Sequence, residues 1–392
     1  MKKTVSFILT FTLLAFSACS FSEYIRYRLS VGDPLNAARD LYPLDANNVI
    51  VTCRPYDHTS WHVTWYRNGV EYRDISGLYG DRIDLDLRMP KPAGWDGETL
   101  TLYYAERIGE LKTIRHEYYE EADPDNYVTY TALWTESGLE QLQELTQPWN
   151  KLFCSGQVAL YSGENGWTVR YNGQDNILPD SFPAGTWFVD CVPAGKDSFL
   201  LKFRDGDTGT LYAAYVDDGQ EKYRVELPLD EAAPGRLFSP DREGGFLYRN
   251  GKNTGDYSPV NLVHYDQEGR YDRTVALTGD RVVIRPYAAA MDPDEGLCTL
   301  YGSLVANSRK IYTVFALTLN SDLQVIRQDI RKIDPEYGDY EPMIYLTPDG
   351  TAYVSFCEVR SGDASWQGLS PVMIPFSQLE KTDKTYGLKL SQ

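Results

Sequence analysis

The stretch Leu346-Thr347-Pro348-Asp349-Gly350-Thr351-Ala352-Tyr353-Val354-Ser355-Phe356 holds a turn followed at once by a strand. Pro348 presets one backbone angle of a tight turn, Asp349 and Gly350 supply the rest, and Thr351 to Phe356 alternate as a half-buried strand does. The same phrase recurs along the chain. Its prolines are Pro43, Pro92, Pro148, Pro193, Pro240, Pro293 and Pro348, separated by 49, 56, 45, 47, 53 and 55 residues. A period of roughly 40 to 55 residues without helical patterning is the signature of a β-propeller, whose units bury their faces only against their neighbours.

The companions of the prolines carry this reading, because 21 prolines in 392 residues would give some regularity by chance. Pro43 is followed by Asp45 and Val49-Ile50-Val51, Pro193 by Gly195, Asp197 and Phe199-Leu200-Leu201, and Pro240 by Asp241 and Phe246-Leu247-Tyr248. Each phrase reads as the hairpin between the first and second strands of a unit. Further on come Asn68-Gly69, Ser137-Gly138, Asn172-Gly173, Asp218-Gly219 and Glu268-Gly269, each between two strand-like runs. Such pairs accept positive φ and mark the hairpin between third and fourth strands. The expected fold is therefore all-β, with seven four-stranded blades. Pairing of the early strand Tyr24 to Ser30 with the unit of Pro348 and the terminal Tyr386 to Leu390 would close the ring and remove two sheet edges. One helix is expected, at 136–145, from the spacing of Leu139, Leu142 and Leu145. The 30 tyrosines are expected to fill the gaps between blades.

The phrase from Leu346 to Tyr353 resembles the "S-P-D-G, then strand" core of TolB-like and WD40-like propeller repeats, and Ser239-Pro240-Asp241 matches it in part. The units near Pro92 and Pro148 depart from that pattern. The resemblance implies an extracytoplasmic module that holds partners or caps catalytic domains. It carries no catalytic residue across.

Lys2-Lys3, an apolar run from Val5 to Leu14 and Ala15-Phe16-Ser17-Ala18 have the charge, apolar core and small residues of a bacterial export signal over residues 1–18. Cys19 follows as in a lipoprotein box, where it would become the lipidated first residue; Phe16 departs from the usual aliphatic residue, and plain secretion is the alternative. Residues 19–392 contain no linker or low-complexity tract and read as one domain. The net charge is −18, which opposes phosphate backbones and anionic headgroups, so nucleic acid is an unsuitable partner and a membrane is met only through the lipid. Beyond Cys19 the cysteines are Cys53, Cys154, Cys191, Cys298 and Cys357, without metal-ligand spacing. Buried free thiols are expected, with a Cys154–Cys191 disulfide as the alternative.

Candidate sites are few. His58, His62, His116 and His264 are the only histidines; His58 and His62 would stand about 13 Å apart on one strand face, too far to share a metal, unless a loop closes that gap. No Gly-x-Ser-x-Gly elbow is present, and Ser162-Gly163-Glu164-Asn165-Gly166-Trp167-Thr168 reads as a hairpin that only echoes the sialidase box. Asp205 and Asp207, in Asp205-Gly206-Asp207-Thr208-Gly209, begin as a calcium loop does but lack its distant Glu, and turn chemistry explains them equally. Calcium is the one cofactor considered. The long acidic segment with Glu117, Tyr118, Tyr119, Glu120, Glu121, Asp123 and Asp125 is the expected ligand-binding loop, near an axial end of the ring. The function expected is that of an exported lipoprotein of the cell envelope, a binding or interaction module for a protein or carbohydrate partner. The alternative is a carbohydrate-active propeller enzyme, a glycoside hydrolase or lyase with paired carboxylates at the axial face.

Overall fold

The computed structural model describes residues 38–391 apart from 46, 55–61, 68–69, 75–90, 108–112, 117–118, 123–126, 136–137, 146–152, 155–157, 164–165, 184, 229–236, 242, 251–256, 293–296, 307–312, 321, 334–341, 348–349 and 360–368. Among these residues there is no α-helix, only a 3₁₀ turn at Phe376–Gln378. The strands fall into successive antiparallel sheets. The first is β1 (Ala38–Pro43), β2 (Asn48–Arg54), β3 (His62–Arg67) and β4 (Val70–Asp74). The second is β5 (Lys91–Trp95), β6 (Leu100–Arg107), β9 (Tyr127–Thr135) and β10 (Gly138–Leu145), interrupted by a separate hairpin of β7 (Thr113–His116) and β8 (Tyr119–Ala122). The third is β11 (Phe153–Cys154), β12 (Val158–Gly163), β13 (Gly166–Tyr171) and β14 (Gln174–Ile177), and the fourth β15 (Trp187–Pro193), β16 (Ser198–Arg204), β17 (Leu211–Asp217) and β18 (Gln220–Leu227). The fifth is β19 (Phe238–Pro240), β20 (Phe246–Asn250), β21 (Val260–Tyr265) and β22 (Tyr271–Thr278). The sixth is β23 (Val282–Asp292), β24 (Leu297–Ala306), β25 (Thr313–Leu319) and β26 (Val325–Lys332), and the seventh β27 (Met343–Leu346), β28 (Ala352–Val359) and β29 (Leu369–Pro375). The last strand, β30 (Lys389–Ser391), pairs with β22.

The turn chemistry places these strands. Pro43, Pro193 and Pro240 each end the first strand of a sheet, and Asp45 and Asp241 accept hydrogen bonds from backbone N–H groups of the turn that follows. Pro348 and Pro293 lie outside the described residues, between first and second strands. Two landmarks fall elsewhere: Pro92 sits inside β5 at a bulge, where a missing N–H is tolerated, and Pro148 precedes β11. All five Gly-containing pairs join third to fourth strands. Among the described residues, both members of two pairs have positive φ: Asn172 and Gly173 at 49° and 74°, Asp218 and Gly219 at 50° and 68°. That is the turn whose twist matches the strands it joins.

Residues 138–145 form a strand, not the expected helix. They pair with β9, Gly138 opposite Thr135, and a bulge between Glu140 and Gln143 inserts an extra residue that breaks the strict alternation, so the leucine spacing looks helical. Cys53, Cys298 and Cys357 do fall in second strands. Cys191 and Cys298 are buried free thiols, which rules out the Cys154–Cys191 disulfide, and burial pushes the Cys298 thiol up to about 12.

The core lies between sheets. One cluster joins Leu247, Leu262 and Val275 of the fifth sheet to Ile284, Leu300 and Phe315 of the sixth; another joins Ala213, Tyr223 and Leu227 of the fourth to Phe246, Tyr248 and Val263 of the fifth. First strands of successive sheets also touch, from β5 to β11, β15, β19, β23 and β27. Successive sheets thus bury facing surfaces against one another, as the repeat pattern requires. The chain's end departs from expectation. Lys381 bridges to Arg331 of β26, the Asp280 N–H donates to the Tyr386 carbonyl, and β30 extends the fifth sheet rather than the seventh. Residues 24–30 lie outside the described residues.

Candidate functional site

The expected acidic loop at 117–127 includes β8, the second strand of the β7–β8 hairpin inserted between the second and third strands of the second sheet, so its described residues 119–122 are strand and not irregular loop. Acidic residues have low strand propensity, but Thr113-Ile114-Arg115-His116 offers them a partner strand, with Arg115 opposite Glu120 and Ile114 opposite Glu121. Tyr119, Glu120 and Glu121 belong to β8; Glu117, Tyr118, Asp123 and Asp125 lie outside the described residues, as do Cys19 and His58. Asp205 is engaged in its own turn. Its Oδ1 accepts from the N–H groups of Asp207 and Thr208 at 2.9 and 2.8 Å, and those bonds hold its carboxyl below the usual range. Among the described residues no group of three His, Cys, Asp or Glu is arranged to hold a metal. Ser162 to Thr168 is a hairpin, with Ser162 opposite Trp167 and the buried Trp167 indole donating to the Pro183 carbonyl at 3.0 Å.

A groove of about 470 Å³ opens between the fourth and fifth sheets. Its fourth-sheet wall is Glu226, Leu227 and Pro228 at the end of β18; its floor and far wall are Tyr248, Asn250, Val263, Tyr265, Tyr271 and Thr274. These fifth-sheet residues share a face because of the strand register: Tyr248 lies opposite Val263, Val263 opposite Thr274, and Tyr265 opposite Tyr271. The groove lies in the gap between two sheets.

Aromatic rings build it. Phe246 and Tyr265 stack with centroids 4.9 Å apart and planes at 4°, Tyr248 and Tyr265 lie 6.1 Å apart at 28°, and Tyr271 stands across Tyr265 at 6.2 Å and 85°. Behind them Tyr223 of β18 stacks on Phe246 and donates its hydroxyl to the Gly244 carbonyl at 2.8 Å. Burial pushes the Tyr265 hydroxyl above its ordinary pKa, so it stays protonated at neutral pH. The Tyr271 ring is 61% exposed, and its hydroxyl donates to Thr274 Oγ1 at 3.2 Å. The result is an aromatic corner with one buried wall and one open wall.

The β21–β22 hairpin that carries this corner is fixed at its turn. His264 Nε2 bonds Asp241 Oδ2 and His264 Nδ1 bonds Asp272 Oδ2, both at 2.8 Å, and Arg273 Nε donates to the same Asp272 oxygen at 2.7 Å. Burial disfavours the imidazolium, but the two carboxylates outweigh it and raise the His264 pKa. Sequence reading singled out neither the groove nor this clamp. The available signal was Tyr265 and Tyr271 flanking the Asp266-Gln267-Glu268-Gly269-Arg270 turn, a spacing that puts two aromatic rings side by side across a hairpin.

No protein-family model and no curated protein matches the sequence. Among solved structures, one titled as the eukaryotic initiation factor overlaps at a TM-score of 0.38 and 10% identity, covering 93% of this chain and 92% of that one. A subtype N11 neuraminidase-like protein of A/flat-faced bat/Peru/033/2010 (H18N11) overlaps at a TM-score of 0.33 and 9% identity, covering 76% of this chain and 90% of that one. The Dos1 propeller overlaps at 0.33 and 11% identity, covering 76% and 97%. At these scores the overlaps carry no argument; the fold rests on the chain's own sheet order.

Proposed function

We propose that this chain is a seven-bladed β-propeller of the bacterial cell envelope, exported by residues 1–18, tethered by a lipid on Cys19, and acting as a binding module. Consecutive meander sheets with touching first strands support the propeller, and the charge, apolar and small-residue order before Cys19 supports export. The observation that carries the binding role is the open tyrosine-walled groove between the fourth and fifth sheets, whose size falls within the roughly 300 to 1,000 Å³ of small-ligand sites. A two-carboxylate hydrolysis needs a second acid across the bound ligand, whereas the groove's described lining supplies Glu226 alone. Binding is the reading that the groove supports best.

Two measurements test this. Cys19→Ala should move the protein from the membrane to the soluble fraction, because the acyl chain contributes about 0.8 kcal/mol per buried CH₂; an unchanged distribution overturns the tether. The immobilised full chain should retain protein or glycan from envelope extract, and Tyr271→Ala should lose that material at unchanged melting temperature. Equal retention by wild type and variant overturns the groove as the binding site.

A further inference from the structure

The groove's chemistry is more specific than its shape. Its nine lining residues include no Lys, Arg or His, and its one charged side chain is Glu226. In a chain at −18 the described lining offers no cation to neutralise a phosphate, sulfate or uronate. The described lining therefore favours a cation or an uncharged polar molecule over an anion.

Ring geometry decides between these. A single aromatic face attracts a cation, but a quaternary ammonium is held best where several faces surround an empty space of its own size. Here the rings fill that space with one another: Tyr265 is stacked on Phe246 and met edgewise by Tyr271. They present an outer surface, of which the exposed Tyr271 is the open wall. An apolar C–H face lies well on such a surface, because an aromatic face carries partial negative charge and C–H hydrogens are weakly positive. Around it stand Asn250, which both donates and accepts, the acceptor Glu226 and the hydroxyl of Thr274. That mixed set suits neighbouring hydroxyl groups, each of which donates and accepts in turn.

We propose that the groove between the fourth and fifth sheets binds an uncharged oligosaccharide, one sugar ring lying against Tyr271 and hydroxyls of the neighbouring sugars bonded to Asn250 and Glu226. This rests on the binding role proposed above and names its ligand class. The groove is open to solvent, so it takes a stretch of glycan chain and need not enclose a terminal sugar.

The test is calorimetric titration of the purified full chain with cellohexaose, chitohexaose and mannohexaose, with a galacturonate hexamer and tetramethylammonium as charged probes. At least one uncharged hexasaccharide should bind saturably. Its Kd should rise about tenfold or more in Tyr271→Ala and in Asn250→Ala, and stay within about threefold in Tyr271→Phe, which keeps the ring. Asn250→Ala gives the same reading should Tyr271→Ala lower the folded yield. No binding of the three hexasaccharides at about 10 mM overturns the proposal. So does tetramethylammonium binding that Glu226→Gln abolishes, which would make the ligand a cation, and so does glycan binding undiminished in both groove variants. If envelope material is retained and lost in Tyr271→Ala while no hexasaccharide binds, only the ligand class falls; if neither assay responds to the groove, the binding role falls with it.

Discussion

His264 sits between two carboxylate oxygens, each 2.8 Å from a ring nitrogen. Both nitrogens can donate only when the ring carries both protons, so the clamp favours the imidazolium and the folded-state pKa rises above its ordinary 6.5. A raised pKa contributes stability that is fully present below about 6.5 and is lost as pH climbs through the folded value. The melting temperature of the wild type should therefore decline from pH 6.5 toward 9 relative to His264→Gln, which cannot be charged. Parallel curves for the two proteins would show that the ring is neutral in the fold. Asp272 is held below the usual carboxylate range by Arg273 and then by His264, so its contribution is lost only in acid, as pH falls through that lowered value.

At the scale of the element, two hairpin glycines separate backbone strain from packing. Gly173 and Gly269 have nearly the same φ, 74° and 71°, where an L side chain is disfavoured. A Cβ on Gly173 would meet nothing within 4 Å, whereas one on Gly269 would fall 2.7 Å from the Tyr223 ring. Gly173→Ala should cost about 1 kcal/mol, the strain alone. Gly269→Ala should cost about 3 kcal/mol, because Tyr223 must leave its stack with Phe246. Urea denaturation measures both, and equal losses would mean that the Tyr223 ring shifts freely. The turn at Gly173 was legible in the sequence because Asn-Gly determines its own geometry. The demand at Gly269 was not, because the ring that crowds it belongs to another sheet.

At the scale of the whole molecule, the terminal segment runs across the outer strands of two sheets. Glu380 accepts from Lys332 through both backbone carbonyl and side chain, Gln328 Nε2 donates to the Leu388 carbonyl at 2.8 Å, and β30 pairs with β22. Leu388 is buried at 3% exposure, packed into the cluster between the fifth and sixth sheets. Deleting residues 386–392 removes that side chain and the β30 pairing, a loss on the order of 4 kcal/mol, and should lower the melting temperature by about 5 °C. An unchanged midpoint would make the segment a passive tail.

The sequence by itself determined the meander: strand alternation, proline-led first turns and Asn-Gly or Asp-Gly second turns are local, since each φ is decided within two residues. It also determined which cysteines lie in second strands. Only the tertiary structure decided where the chain's end goes, as in the pairing of Ala276 with Ser391, and that Tyr248, Tyr265 and Tyr271 wall a groove against Glu226. A sheet edge offers the same backbone groups to any strand, so side-chain packing, such as the burial of Leu388, selects the partner. A groove exists only where two sheets fail to fill the space between them, and that depends on both faces at once.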